Sequence, residues 1–443
     1  MGNPAAGVRQ IVVAMALLLL AACGGGSAGS SGSNASGGST SSSSGGTTPL
    51  SNFTAVLVDA GPAALNVGAN GYTATNTPYV TITVCAPGSS TNCQTIDHVL
   101  LDTGSVGLRL EASVLNAGLL SALTSETDAS SNPVGECYEF VDDYVFGSVK
   151  VGDFSIGGES VASMPMQLIG DPGGAFATAP TSCSSSGGSN MNTVQLLGAN
   201  GLIGVGTTTT DCGSYCTTTN AVSGSIYYDC PASGCQNIVA RAASTAAPFQ
   251  QLPNPVAAFA VDNNGTIMEL PSVPTAGALD PSGGMIYFGI DTQTNNSLGS
   301  ATVLPTDQNG LITATYNGTS FPESFLDSGS TYYYWVDNNI TECSQSGYTG
   351  FYCPASPLSL APTLTGYRSG SASAAFTLYN AYTQFAGNVT ALPGVGGNPI
   401  TLGFPNPLPG SFDFGLPFFF GRHVYTAIDG RAAGSATGPY FAY

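Results

Sequence analysis

"VLLDTGS", Val99 to Ser105, places an aspartate, two small hydroxyl residues and a glycine at the end of an apolar run. "ESFLDSGSTYYYW", Glu323 to Trp335, repeats the pattern of two apolar residues, Asp, Thr or Ser, Gly and Ser, and the chain holds no third copy. In a sequence this rich in Ser, Thr and Gly, one such tetrad arises by chance on the order of 0.1 times, so the weight lies in there being two. Each apolar strand delivers its acid, Asp102 or Asp327, to the edge of a buried surface. The glycine two residues on, Gly104 or Gly329, permits a tight turn and close backbone approach, including that of a substrate. Two such turns brought together would set the carboxyls about 3 Å apart, where both cannot ionise and they share one proton. One acid is then a base and the other a proton donor. Such a pair activates a water against an amide carbonyl and protonates the departing nitrogen, with no metal or cofactor. Thr103 and Ser328 are placed to hydrogen-bond across the pair, Ser105 and Ser330 to orient the outer carboxylate oxygens.

Each aspartate is followed at comparable distance by a second apolar strand ending in glycine. These are "GLIGVG", Gly201 to Gly206, and "FDFGLPFFFGRHVYTAID", Phe412 to Asp429. Gly204 lies 102 residues after Asp102, and Gly415 lies 88 after Asp327. The chain therefore reads as duplicated, each half giving one carboxyl to a shared cleft. Short Val, Ile, Tyr and Phe runs bounded by turn residues, without heptads or helical charge pairs, predict a mostly β protein with few helices.

On these motifs the chain resembles the pepsin-type, bilobal aspartic proteases. "GGMIYFGIDTQTNNSLGSATVLPTD", Gly283 to Asp307, is similar to the segment before that family's second catalytic strand. "FFFGRHVYTAIDGRAAG", Phe418 to Gly434, resembles its closing strand pair, and "FGSVKVGDFSIGGESV", Phe146 to Val161, the strands after its flap. The likeness covers about residues 54 to 443. Within that family the chain is most similar to a group of proteobacterial lipoproteins. The resemblance implies an all-β fold of two pseudo-symmetric lobes with a cleft between them, divided at 49–270 and 271–443, and an endopeptidase that binds peptides as strands. It makes Asp102 and Asp327 catalytic, with Thr103, Ser105, Ser328 and Ser330 in support. Two positions depart from the family pattern. The flap reads "CYEFVDDYVFG", Cys137 to Gly147, with Tyr138 placed as the flap tyrosine and Tyr144 as the alternative. The tryptophan that normally bonds that tyrosine is replaced by Arg109, a cation that either lies in the cleft and favours an acidic substrate side chain or pairs with Glu111 or another carboxylate nearby.

Formal charge is −19, with Lys150 the one lysine beside six arginines, which excludes a nucleic-acid partner. In acid the carboxylates become neutral and few positive charges remain, which suits work at low pH; an acidic surface also simply aids solubility. Arg9, the apolar run Ile11 to Leu20 and "LAAC" ending at Cys23 resemble a lipoprotein signal, residues 1–22, with Cys23 lipidated. Residues 23–48 then form a Gly/Ser tether with a reach of roughly 25 to 30 Å. With Gly24 rather than aspartate next, the resemblance to lipoprotein sorting implies an outer-membrane anchor, a periplasmic or surface-facing monomer and a peptide or protein substrate.

Setting Cys23 aside leaves ten cysteines in a chain sent to an oxidising compartment, hence five disulfides. Spacing favours Cys85 with Cys93 and Cys343 with Cys353. Cys212 with Cys235 and Cys216 with Cys230 form a nested pair, leaving Cys137 for Cys183. A metal site is the competing reading of "CGSYC" with "CPASGC", disfavoured by the absence of a nearby histidine. His98 and His423 are the only histidines and read as structural. The rings of "YYYW" and "FFF", Tyr332 to Trp335 and Phe418 to Phe420, read mostly as core.

Overall fold

The computed structural model describes residues 51–68, 71–128, 130–185, 187–213, 226–237 and 251–443. The fold is all-β and two-lobed; among the described residues the longest helix, Ala117–Ala122, has six residues. Alternation in "YVTITVC" leaves Tyr79–Cys85 half-buried, whereas the end of Cys93–Asp102 is buried on both faces, as its unbroken apolar run requires.

In the first lobe a ten-stranded sheet closes on itself. Tyr144–Ile156, Tyr79–Cys85, Cys93–Asp102, Gly201–Val205, Val106–Glu111 and Glu159–Ile169 follow one another, and the last pairs again with the first. Closure leaves these strands without an exposed edge. The hairpin of Val134–Glu139 and the start of Tyr144–Ile156 projects from this ring. The second lobe is built on an open seven-stranded sheet that includes Thr319–Leu326, Asp413–Phe414 and Tyr333–Tyr334.

Both lobes share one local topology. Cys93–Asp102 runs parallel to Gly201–Val205, which in turn lies antiparallel to Val106–Glu111. Thr319–Leu326 runs parallel to Asp413–Phe414, which lies antiparallel to Tyr333–Tyr334. In each lobe a later strand is thus inserted between the strand that ends in the aspartate and the strand that follows it. Insertion this close needs glycine: a Cβ on Gly204 would collide with the backbone of Ser105 and Val106, and one on Gly415 with the backbone of Ser330 and Tyr332.

A six-stranded sheet joins the halves, pairing Phe53–Val56 with Gly284–Phe288 and Gly265–Glu269 with His423–Ala427. The largest apolar cluster runs without a break from Val56 to Phe441 and includes Tyr332 to Trp335 and Phe418 to Phe420. Asn76 adds a polar tie: its amide nitrogen donates to the carbonyls of Thr331 and Leu392, each at 2.9 Å, and its oxygen accepts from the Leu392 N–H at 2.7 Å.

Cys85–Cys93, Cys137–Cys183 and Cys343–Cys353 are bonded as spacing suggests. The nested pairing is corrected, because Cys230 is bonded to Cys235. The intervening Pro-Ala-Ser-Gly turns tightly, with Gly234 N–H donating to Pro231 O at 2.9 Å, and brings the two sulfurs together. This bond also removes those thiolates from any metal site. Cys212 is disulfide-bonded as well, while Cys216 lies outside the described residues, as do Cys23, the signal and the tether.

Candidate active site

The two Asp turns meet at the junction of the lobes and are cross-tied by their second residues. Thr103 N–H donates to Ser328 Oγ at 3.1 Å and Ser328 N–H donates to Thr103 Oγ1 at 2.9 Å. Each hydroxyl then donates across to the opposite strand, Thr103 Oγ1 to Leu326 O at 3.2 Å and Ser328 Oγ to Leu101 O at 2.8 Å. Four reciprocal bonds between segments 225 residues apart fix the relative position of the two aspartates.

Within each turn the carboxyl is held by its own loop. Gly104 N–H donates to Asp102 Oδ1 at 2.7 Å and Ser105 Oγ donates to Asp102 Oδ2. Gly329 N–H donates to Asp327 Oδ1 at 2.7 Å and Ser330 Oγ to Asp327 Oδ2 at 2.7 Å. The carboxyls also hydrogen-bond to each other, which demands a proton on one of them. Burial pushes Asp102 up to about 6, against the opposing pull of Ser105, Asp327 and Gly104. Asp327 is raised well above the ordinary carboxylate range by burial, then by the negative charge of Asp102 and Asp413. One proton is therefore retained by the pair at neutral pH.

Both aspartates are fully buried, at 0 % exposure. A small pocket of about 30 Å³ opens beside them, lined by Thr103, Gly104, Ser105, Tyr138, Asp211 and Phe325 among others. The projecting hairpin roofs the site. Phe140 N–H donates to Asp143 O at 2.7 Å to close its turn, and Val141 O accepts from Asn406 N–H of the second lobe at 3.2 Å. Phe140 and Val141 are buried in this position.

Of the two flap tyrosines, Tyr138 is the one at the pocket. Tyr144 packs in a separate cluster with Phe146, Tyr228 and the Cys137–Cys183 bond. Of the two readings of Arg109, the structure has the paired one and not the cation in the cleft: it is fully buried against carboxylates other than Glu111. Its Nη2 pairs with Glu136 Oε1 at 2.6 Å and Asp211 Oδ2 at 3.4 Å, and its guanidinium lies 3.8 Å from the centre of the Tyr138 ring. Arg109 thus supports Tyr138 through a cation against a ring face. Glu111 is left buried with neither oxygen hydrogen-bonded, and burial pushes it up to about 9. The histidines lie elsewhere, His98 against Asp59 and His423 against Glu269.

Glu136, Asp211 and Asp413 escape a reading of the sequence. Asp413, at 3 % exposure, lies 2.6 Å from Ser330 Oγ, one hydroxyl away from Asp327. Its only sequence signal is an acid where "FDFG" otherwise reads as a buried apolar strand.

The family model described as "Protein of unknown function (DUF3443)" matches residues 49–443. The chain belongs to that family. Among solved structures this DUF3443 protein is similar to the aspartic proteinase from Irpex lacteus, with 13 % identity over 88 % of this chain and 96 % of that chain, and a TM-score of 0.46. No curated protein matches the sequence. Among the described residues no helix is long and apolar enough to cross a membrane, and the disulfides are consistent with an exported protein.

Proposed function

We propose that this protein is an aspartic endopeptidase of the cell envelope that hydrolyses peptide bonds with a water activated between Asp102 and Asp327. The observation that carries this reading is the pair itself: two acids from distant loops, held by reciprocal Thr103 and Ser328 bonds and sharing a proton. The ionised member removes a proton from the water as its oxygen attacks the carbonyl carbon, and the protonated member donates to the carbonyl oxygen. Collapse of the resulting diol passes a proton to the amide nitrogen, breaks the C–N bond and returns the pair to its starting state. Gly104, Gly329, Ser105 and Ser330 keep the carboxyl planes fixed throughout. A peptide enters when the roof at Val141 and Asn406 parts, and Tyr138 then closes over it. The lipid anchor at Cys23, the outer-membrane position, the division of lobes near residue 270 and a monomeric state belong to the same proposal.

The full burial of both carboxyls favours a second reading, a surface protein that uses this scaffold to bind a peptide, glycan or partner protein without cutting it. One experiment separates the two. The full chain is incubated with a mixed peptide library from about pH 3 to about pH 8, with and without a statine-containing inhibitor. Inhibitable cleavage at a reproducible set of bonds is the outcome expected of the endopeptidase. Retention of intact peptides with no products would overturn it in favour of the binder.

A further inference from the structure

Ser330 Oγ stands 2.7 Å from Asp327 Oδ2 and 2.6 Å from Asp413 Oδ2. Two oxygen–oxygen contacts of this length need two protons, and a serine hydroxyl supplies one. The second belongs to a carboxyl. Asp327 accepts the Gly329 N–H on its other oxygen, and the one proton of the pair is shared with Asp102, which leaves none for Ser330. Asp413 has no such support: Oδ1 is buried without a hydrogen-bond partner, and among the described residues no Lys, Arg or His lies within ion-pair distance. The titratable groups facing it are Asp327 and Asp102 across the loop and Tyr334, its cross-strand neighbour, and none is basic.

The other lobe shows what this acid adds. By register Asp413 pairs with Phe325, one residue before Leu326 and two before Asp327, while the corresponding partner of Leu100 is Leu202. Lobe one therefore has an apolar side chain where lobe two has an acid. Ser105 accordingly faces one carboxyl and Ser330 faces two.

We propose that Asp413 is a positioning residue that stays protonated and donates to Ser330 Oγ, so that Ser330 donates in turn to Asp327 Oδ2 and holds that carboxyl in place against Asp102. This positioning role rests on the endopeptidase reading, whereas the protonation of Asp413 does not. Burial, which raises Asp413 well above the ordinary carboxylate range, acts in the same sense. When Asp413 ionises, Ser330 turns its only proton toward the new charge, Asp327 loses a donor, and a second negative charge joins the site. Ionisation of Asp413 thus sets the alkaline limit of activity.

The test uses the full chain as wild type, Asp413→Asn and Asp413→Leu, each checked for folding by its thermal transition. Infrared spectra at neutral pH are to show a protonated-carboxyl band in the wild type that weakens in both variants. Equal bands in wild type and Asp413→Asn overturn the proposal whether or not the protein cuts peptides. In cleavage assays Asp413→Leu is to lower kcat about tenfold or more with KM within about twofold, because it removes a hydrogen bond to the reacting pair rather than a substrate contact. Asp413→Asn, whose amide still donates to Ser330, is to recover most of that loss and to carry activity to higher pH than the wild type. An alkaline limb unmoved by Asp413→Asn contradicts the proposal. Absence of cleavage by all three proteins would sink the endopeptidase reading and leave the infrared result to decide the state of Asp413.

Discussion

Asp102 and Asp327 differ in surroundings even though their turns match. Each accepts a glycine N–H and a serine hydroxyl, but burial and then the charge of Asp102 hold Asp327 higher, and so Asp102 is the first of the pair to ionise. Below about pH 6 both members carry a proton and no base remains; above it one proton is shared. The acid limb of kcat/KM is therefore expected at about pH 6, and full activity sustained down to about pH 3 would show that the burial of Asp102 is relieved in the working enzyme. Glu111 offers a separate check. Its carboxyl is raised in the folded chain, so its destabilising effect is absent below the ordinary pKa of 4.5 and grows as pH rises toward about 9. Glu111→Gln is expected to stabilise the protein at pH 7 by about 1–3 kcal/mol and to have little effect near pH 4, as read by denaturant midpoints. A variant less stable than wild type at both pH values would mean that the carboxylate has a partner.

At the scale of elements, the two turns were legible because their chemistry is local, four residues after an apolar strand. The inserted strands were legible for the same reason, since Gly204 and Gly415 answer a steric need that the sequence states directly. Arg109 was conspicuous in the sequence but its partners were not: Glu136 is 27 residues away and Asp211 is 102, joined only when three separate elements pack. The nearest acid along the chain, Glu111, was the wrong partner. Asp413 was hidden by its neighbours, for an acid between two phenylalanines reads as a strand whose core position an aliphatic residue could fill. The cation binds the hairpin to the floor of the lobe, because Glu136 and Tyr138 lie on the hairpin strand Val134–Glu139 while Arg109 lies on Val106–Glu111. Truncating Arg109→Ala leaves Glu136 and Asp211 buried without their cation, and is expected to cost about 3–5 kcal/mol in chemical unfolding. A cost below about 1 kcal/mol would show that the buried cluster does not depend on this cation.

At the scale of the whole molecule, the formal charge of −19 conceals how the buried acids behave. Asp102, Glu111, Asp211, Asp327 and Asp413 are all raised, with burial the leading cause in each. An acid raised by folding binds its proton more tightly in the native state, so its contribution to stability grows as pH falls toward ordinary carboxylate values. Asp59 and His98 set limits on that trend. Desolvation opposes the lowering of Asp59, but His98 and Gly61 prevail, and its contribution is lost as pH falls below the ordinary 3.8. His98 is raised mainly by its bond to Asp59, and its contribution is complete below the ordinary 6.5 and lost as pH rises through its folded value. Together these shifts place maximum stability at about pH 4–6, to be read as a Tm that climbs when pH is lowered from 8 to 5. A Tm that falls steadily over that interval would mean that the buried acids are paired and ionised. The two-lobed architecture was readable from the duplicated motif, but the closed sheet of the first lobe and the open sheet of the second were not, since strand closure depends on pairings that no single segment announces.

The most direct measurement compares peptide cleavage by the wild-type chain and by Asp327→Asn, with both proteins shown to melt cooperatively. An amide in place of the carboxyl keeps the size of the side chain and removes one of the two acids that exchange protons with the substrate, so the substituted protein is expected to lose at least about a thousandfold in kcat/KM. A folded Asp327→Asn protein that cuts the same bonds at the wild-type rate would show that these two acids are not the machinery of hydrolysis.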